Sequence, residues 1–217
     1  MQKIYIEITN LTEVKSLTGI QRVEKSVALE MYKMIKEQLC FVVFKADSYR
    51  LEMLDTDLFI EYLKGDKNAF DKMFSGEYLE FEKMHPGDIF FEIDAVWNGR
   101  YKNSVLLPKL KRYGVRIACY VYDIIPITHP KYSHFNTRFN FINYIGAYLQ
   151  YADILIASAK STLDEINELS DKLGIPRVKG YVSWLGSDFK AEKNDGEIPE
   201  EVIEAAKNKY ILNVGTI

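Results

Sequence analysis

Ile117-Ala118-Cys119-Tyr120-Val121-Tyr122-Asp123-Ile124-Ile125-Pro126 decides the fold. Its first six residues form an almost unbroken apolar run, rich in β-branched and aromatic side chains. Such a run suits a strand buried on both faces, as in a parallel sheet covered by helices. Asp123 ends the run, and Pro126 cannot continue a central strand. In open α/β sheets ligands bind outside the carboxyl ends of the strands. Tyr122 and Asp123 therefore stand where a ligand is expected.

Working upstream, residues 88–94 read as another strand, closing on Asp94-Ala95-Val96-Trp97-Asn98. An acid, an indole and an amide beyond a strand end suit a sugar, whose C–H face packs on aromatics while its hydroxyls pair with carboxylates and amides. The same residues also read as a plain strand-to-helix turn with Trp97 in the core. Residues 104–113 read as a helix closed by Gly114, a residue suited to the left-handed C′ position. The first strand spans 3–9, and a polar loop follows over 10–17. That loop lacks the Gly-x-Gly-x-x-Gly of dinucleotide-binding folds, which argues against a nucleotide-dependent oxidoreductase. Thr18 and Gln21 match a capping box at the start of a helix. Ile20, Val23, Val27, Met31 and Met34 then share one face. Gly19 permits close approach to the backbone, and a first helical turn favours an anion. A well-capped helix without a ligand explains the same pattern. Residues 41–44 and 49–54 read as strands, and 55–74 as a helix broken near Gly65-Asp66. Residues 76–86 read as irregular, with His85 a loop residue.

Downstream of Pro126, Thr128-His129-Pro130-Lys131-Tyr132 reads as a rigid loop. His129 there can meet a phosphate or hydroxyl, or cap the next helix. No second His or Cys stands at metal-ligand spacing, so no metal site is expected. Residues 134–152 form a helix with two stripes. Phe135, Phe139, Ile142, Ile145 and Leu149 read as the core face. Phe141, Tyr144, Tyr148 and Tyr151 form an aromatic face that either packs on a second neighbour or is presented to a partner. Residues 153–157 read as a buried strand. Ser161 with Asp164 reads as a second capping box, and Leu163, Ile166, Leu169 and Leu173 as that helix's core face. Residues 178–182 read as a strand, 201–207 as a short helix and 210–214 as a last strand.

The 217 residues, 47% hydrophobic and 27% charged, have the composition of a soluble globular protein large enough to bury a core without disulfides or metals. A net charge of −3 argues against a general nucleic-acid binder. Cys40 and Cys119 both fall in strand-like runs and read as core residues of a reducing compartment. No basic region followed by an apolar signal segment opens the sequence, and no stretch approaches the ~20 apolar residues of a membrane span. A cytoplasmic location is expected. Strands alternating with helices predict an α/β fold with a doubly wound, mainly parallel sheet.

Five stretches in order carry a family resemblance: Thr18-Gly19-Ile20-Gln21-Arg22-Val23, Gly87-Asp88-Ile89-Phe90, Tyr122-Asp123-Ile124-Ile125-Pro126-Ile127, Ala152-Asp153-Ile154-Leu155-Ile156-Ala157-Ser158 and Tyr210-Ile211-Leu212-Asn213-Val214-Gly215-Thr216-Ile217. Together they resemble the N-terminal half of the GT-B glycosyltransferases, in particular retaining family 4 enzymes that build capsule and O-antigen polysaccharides. The resemblance implies a Rossmann-like acceptor-side domain over 1–190, a linker over 191–209, and over 210–217 the first strand of a donor-binding domain that is otherwise missing. It implies a nucleotide-sugar donor held mainly by that missing half, no cofactor, a glycan or lipid-linked acceptor, and peripheral contact with the inner membrane face. It places Gly19 facing the donor diphosphate. Where the family often has a histidine before the aspartate of the central strand, this chain has Tyr122. Asp123 is expected to act on the acceptor hydroxyl as the catalytic residue, with Gly19, Gln21, Arg22, Trp97, Asn98, Tyr122 and His129 binding substrate. The isolated chain is expected to be inactive. The competing expectation is a non-catalytic, glycosyltransferase-like module that binds a glycan or a partner.

Overall fold

A computed structural model describes residues 1–14, 17–98, 102–186 and 198–209. The chain runs β1 (Ile4–Glu7), α1 (Thr9–Glu13), α2 (Gly19–Ile35), β2 (Leu39–Lys45), β3 (Arg50–Leu54), α3 (Thr56–Lys64), β4 (Phe74–Tyr78), β5 (Ile89–Glu92), α4 (Asn103–Arg112), β6 (Arg116–Val121), α5 (Ile125–Thr128), α6 (Phe135–Tyr151), β7 (Ile154–Ala157), α7 (Lys160–Leu173), β8 (Gly180–Val182) and α8 (Glu200–Ala206). It divides into two units, Met1–Leu185 and Gly186–Ile217. The first holds the whole sheet. Helix α8 belongs to the second, within the segment read as a linker, and residues 210–217 lie outside the described residues.

The eight strands lie in the order β4-β3-β2-β1-β5-β6-β7-β8. From β2 through β8 every pairing is parallel, while β3 and β4 add on antiparallel at one edge. The fold is thus α/β and Rossmann-like, with a mainly parallel sheet. β6 stands inside it, flanked by β5 and β7, and after the exposed Arg116 its residues are buried on both faces. Ile117, Cys119 and Val121 join one core with residues of α4 and α6 and with Ile166 of α7. Ala118 and Tyr120 join the other, with Ala28 of α2 and Phe59, Ile60 and Leu63 of α3. The period-2 alternation of a strand splits one apolar run between two cores. Cys119 is buried, Cys40 half-buried, and both are free thiols.

Several elements differ from the sequence reading. The loop after β1 contains the five-residue helix α1, because Leu11 is buried and the side chains of Glu7 and Asp94 take backbone N–H groups at its start. The stretch read as irregular holds β4, an exposed edge strand whose register shifts against β3. An exposed edge carries no alternating pattern to betray it. Ser161 and Asp164 form no capping box. Helix α7 starts two residues earlier, Ala159 is its N-cap, and Asp164 pairs with Lys160 at 2.6 Å instead. Met34 and Leu173, both read into core faces, are exposed.

The largest reversal concerns α6. Phe141, Tyr144 and Tyr148 are buried; of the five residues read as its core face, Ile145 and Leu149 are buried as expected, whereas Phe135, Phe139 and Ile142 are exposed. Both stripes are apolar enough to serve. Trp97 decides between them, packing its ring at 5.3 Å against both Phe141 and Tyr144, while the Tyr144 hydroxyl donates to the Tyr120 carbonyl at 3.3 Å. A tyrosine can be buried when its O–H reaches such a carbonyl.

Candidate functional site

Strand β1 has β2 on one side and β5 on the other. The connection from β1 to β2 runs through α2 on one face, and the connection from β5 to β6 runs through α4 on the opposite face. The winding reverses between β1 and β5, and the crevice outside their carboxyl ends is where such sheets bind ligands.

Four carboxylic acids are buried at that point. Glu7 ends β1 and sits in register with Glu92, which ends β5. Asp94 follows two residues later, and Glu24 reaches in from the second turn of α2. Most of these groups are engaged internally. Glu7 Oε1 takes the backbone N–H of Thr9 at 3.0 Å and the Thr9 hydroxyl, while that hydroxyl oxygen accepts the Phe44 N–H at 2.7 Å. Asp94 takes the N–H of Asn10 at 2.6 Å and of Ala95 at 2.5 Å, tying α1 to the end of β5. Glu92 accepts Asn103 Nδ2 at 2.9 Å. Burial, followed by the charges of Asp94 and Glu92, raises the Glu7 carboxyl well above the usual range.

Glu24 differs from the others. It is 1% exposed, and neither oxygen faces an N–H or O–H donor among the described residues. Burial first, then Asp94 and Glu7, push its carboxyl up to about 11. Two carboxylates can bond only when one holds a proton. Glu24 is therefore neutral at pH 7 and meets Asp94 as the donor. This proton fixes the front of α2 over the ends of β1 and β5. The sequence reading missed Glu7, Glu24 and Glu92. The signals were present: an acid inside each of two apolar strand runs, and a glutamate at helical spacing between Ile20 and Val27.

The predicted site residues fall into three places. Gly19, Gln21 and Arg22 form the first turn of α2. Gln21 is buried and its Oε1 takes the Thr18 N–H at 3.3 Å and the Thr18 hydroxyl, the expected capping box. Arg22 is exposed. A Cβ placed on Gly19 would meet nothing within 4 Å, so the packing does not demand glycine, and the turn opens onto space. Tyr122 packs on the same face as α2. Its hydroxyl is spent on the Ile93 carbonyl at 3.0 Å, and burial raises it above its ordinary range. It braces β6 against the end of β5.

The second place is the turn after β6. Asp123 is exposed, and its Oδ1 accepts the Ile125 N–H at 2.9 Å, opening α5. His129, also exposed, lies beyond that helix. Its Nδ1 is 2.9 Å from the Thr128 hydroxyl, and its ring stacks on Tyr132. It does not cap α6; His134 does, accepting the Asn136 N–H at 3.3 Å.

The third place is the 3-10 turn Val96–Asn98, which Asn98 closes. Trp97 there joins the core of the opposite face from Tyr122 and packs on α6. Helix α6 also packs on α4 and α5, so it is the element that links Trp97 with the Asp123 turn.

No protein-family model matches the chain. A partial match is to glucosyltransferase 3 of Streptococcus parasanguinis, 23% identical over 97 residues. That likeness supports a glycosyltransferase. It covers 45% of this chain and 28% of the relative's length. The reversal between β1 and β5, with its open first turn on α2 and exposed Asp123, is the part of the fold with which such a role is compatible. Among the described residues no group of three or more His, Cys, Asp or Glu could hold a metal ion. The buried acids are engaged by backbone N–H groups, the Thr9 hydroxyl, the Asn103 amide and a carboxyl–carboxylate pair.

Proposed function

We propose that the chain is the acceptor-binding, N-terminal half of a retaining GT-B glycosyltransferase. It transfers a sugar from a nucleotide-sugar to a glycan or lipid-linked acceptor in surface polysaccharide synthesis. The observation that carries this reading is the partial likeness to a glucosyltransferase in a chain whose doubly wound sheet reverses beside an exposed polar turn. The donor half lies outside this chain, and the first turn of α2 faces the donor diphosphate. Charge builds on phosphate oxygens as the sugar departs, and first-turn N–H groups with the helix dipole stabilise that charge. Asp123 orients the acceptor hydroxyl, while Tyr122 and the Glu24–Asp94 pair hold the turns on which these groups stand. His129 and Arg22 flank the mouth.

The protein works in the cytoplasm against the inner membrane face. Peripheral contact there belongs to the same proposal; among the described residues no helix is long and apolar enough to cross a membrane.

Asp123→Asn tests the reading in the full-length protein. Asparagine keeps the oxygen that accepts the Ile125 N–H, so the turn survives while the charge is lost. Turnover with a nucleotide-sugar and acceptor should fall by about 100-fold, the scale of a misoriented reacting group, at unchanged melting temperature. Unchanged kinetics would reduce Asp123 to the opening of α5.

A further inference from the structure

A cavity of about 300 Å³ opens between the 3-10 turn Val96–Asn98, the start of α4 and the middle of α6. We propose that it binds a neutral pyranose ring, and that in the transferase it holds a sugar unit of the acceptor. Only this last clause rests on the glycosyltransferase reading; sugar binding stands on the cavity's own chemistry.

Asn103 lines the cavity and is 6% exposed. Its Nδ2 is held by Glu92 at 2.9 Å, which fixes the orientation of the amide, and its Oδ1 has no partner among the described residues. A buried acceptor left without a donor is costly, and a ligand hydroxyl supplies one. Beside it, α4 begins with Lys102 as its N-cap and no side-chain cap. The N–H groups of its first residues and the Lys102 ammonium are donors, and a hydroxyl oxygen accepts from them. On the α6 side stand Asn140 and Asn143. Asn143 Nδ2 donates to the Phe139 carbonyl at 3.0 Å, leaving its Oδ1 as a second acceptor. Trp97 and Phe139 complete the wall.

This lining combines donors and acceptors with three aromatic side chains, Trp97, Phe139 and Tyr144. An anion such as a nucleoside diphosphate would find the first N–H groups of α4 and one lysine, but would also face the Asn103 and Asn143 amide oxygens, which repel it. A purely apolar ligand would strand the Asn103 oxygen. A sugar ring offers O–H groups that both donate and accept, with C–H faces for the aromatics. The volume stands at the small end of ligand pockets, suited to one or two rings rather than a whole nucleotide-sugar.

The test uses Trp97 as reporter. The chain has two tryptophans, and Trp184 is exposed, so Trp184→Phe isolates the signal. The fluorescence of this variant is titrated with the methyl glycosides of glucose, galactose, mannose, rhamnose and N-acetylglucosamine, with glycerol as the control. At least one glycoside should give a saturable change that glycerol does not. The Asn140→Ala, Asn143→Ala double variant should weaken it by about tenfold, the scale of one or two lost hydrogen bonds. Both positions stand outside the buried core, and circular dichroism verifies that the variant is folded. The absence of a saturable change with all five glycosides overturns the proposal, as does binding that survives the double variant undiminished. Transfer by the full-length protein is assayed separately. Binding without transfer leaves the sugar site standing and removes its acceptor role, and transfer without binding removes the site and leaves the transferase.

Discussion

Glu24 carries the least ordinary chemistry of any single residue in this chain. A carboxyl near 4.3 when unfolded that burial pushes up to about 11 in the fold binds a proton in the native state that the unfolded state has lost at neutral pH. Its contribution to stability is therefore fullest below the unfolded value and declines as pH rises toward the folded one. Glu7, raised for the same first reason, acts in the same direction. As pH rises above the ordinary carboxylate range the wild type should lose stability on account of Glu24. Glu24→Gln keeps the shape and a donor toward Asp94 while removing the titration. Urea unfolding should find the variant more stable than wild type at pH 8, with a flatter pH dependence. Equal slopes for the two proteins would place the proton elsewhere. Residue-scale chemistry was the part least legible in the sequence. The position of Tyr122 and Asp123 at the end of β6 was legible because a strand run visibly ends at them. The pairing of Glu24 with Asp94 joins α2 to the end of β5 across 70 residues, and no local pattern carries it.

Helix α6 shows where element-scale reading fails and why. Its two apolar stripes are equally compatible with a 3.6-residue period, so periodicity locates the helix and leaves its rotation open. The choice is made by Trp97 and by the Tyr120 carbonyl, groups distant in sequence. The orientation predicts a contrast. Phe141→Ala should destabilise by about 3–5 kcal/mol, the range for a truncated core aromatic, whereas Phe135→Ala should stay within about 0.5 kcal/mol. Denaturation midpoints of the two variants measure it, and similar losses would contradict the packing. The end of α4 was easier to read. Gly114 was marked as a helix stop, and it adopts φ 73° with its missing Cβ only 3.1 Å from the Pro86 side chain. Gly114→Ala meets both a strained backbone and that contact, and should cost more than the ~1 kcal/mol of a tolerated glycine change. A variant as stable as wild type would show that the Pro86 turn can give way.

At the scale of the molecule, the fold was the most legible feature. Five parallel strands were readable because each is an apolar run bounded by turn residues, and the sheet they form is the expected one. The strands that add antiparallel at the edge were less legible: β3 carries the polar Arg50 and Glu52 within a five-residue run, and the exposed β4 has no apolar run at all. The topology places two groups of residues on opposite faces of the sheet. The front of α2 and Tyr122 lie on one side, while Trp97 and the cavity between α4 and α6 lie on the other. On the proposed reading the first side meets donor phosphate and the second holds acceptor sugar, with Asp123 at the turn between them. This arrangement needs a second, donor-binding half for turnover. The most direct measurement is nucleoside diphosphate release from nucleotide-sugars, made in parallel on the 217-residue chain and on the product of the complete reading frame. The account predicts acceptor-dependent release by the complete product and none above background by the isolated chain. Robust release by the isolated chain, or none by the complete product with any nucleotide-sugar, would contradict it.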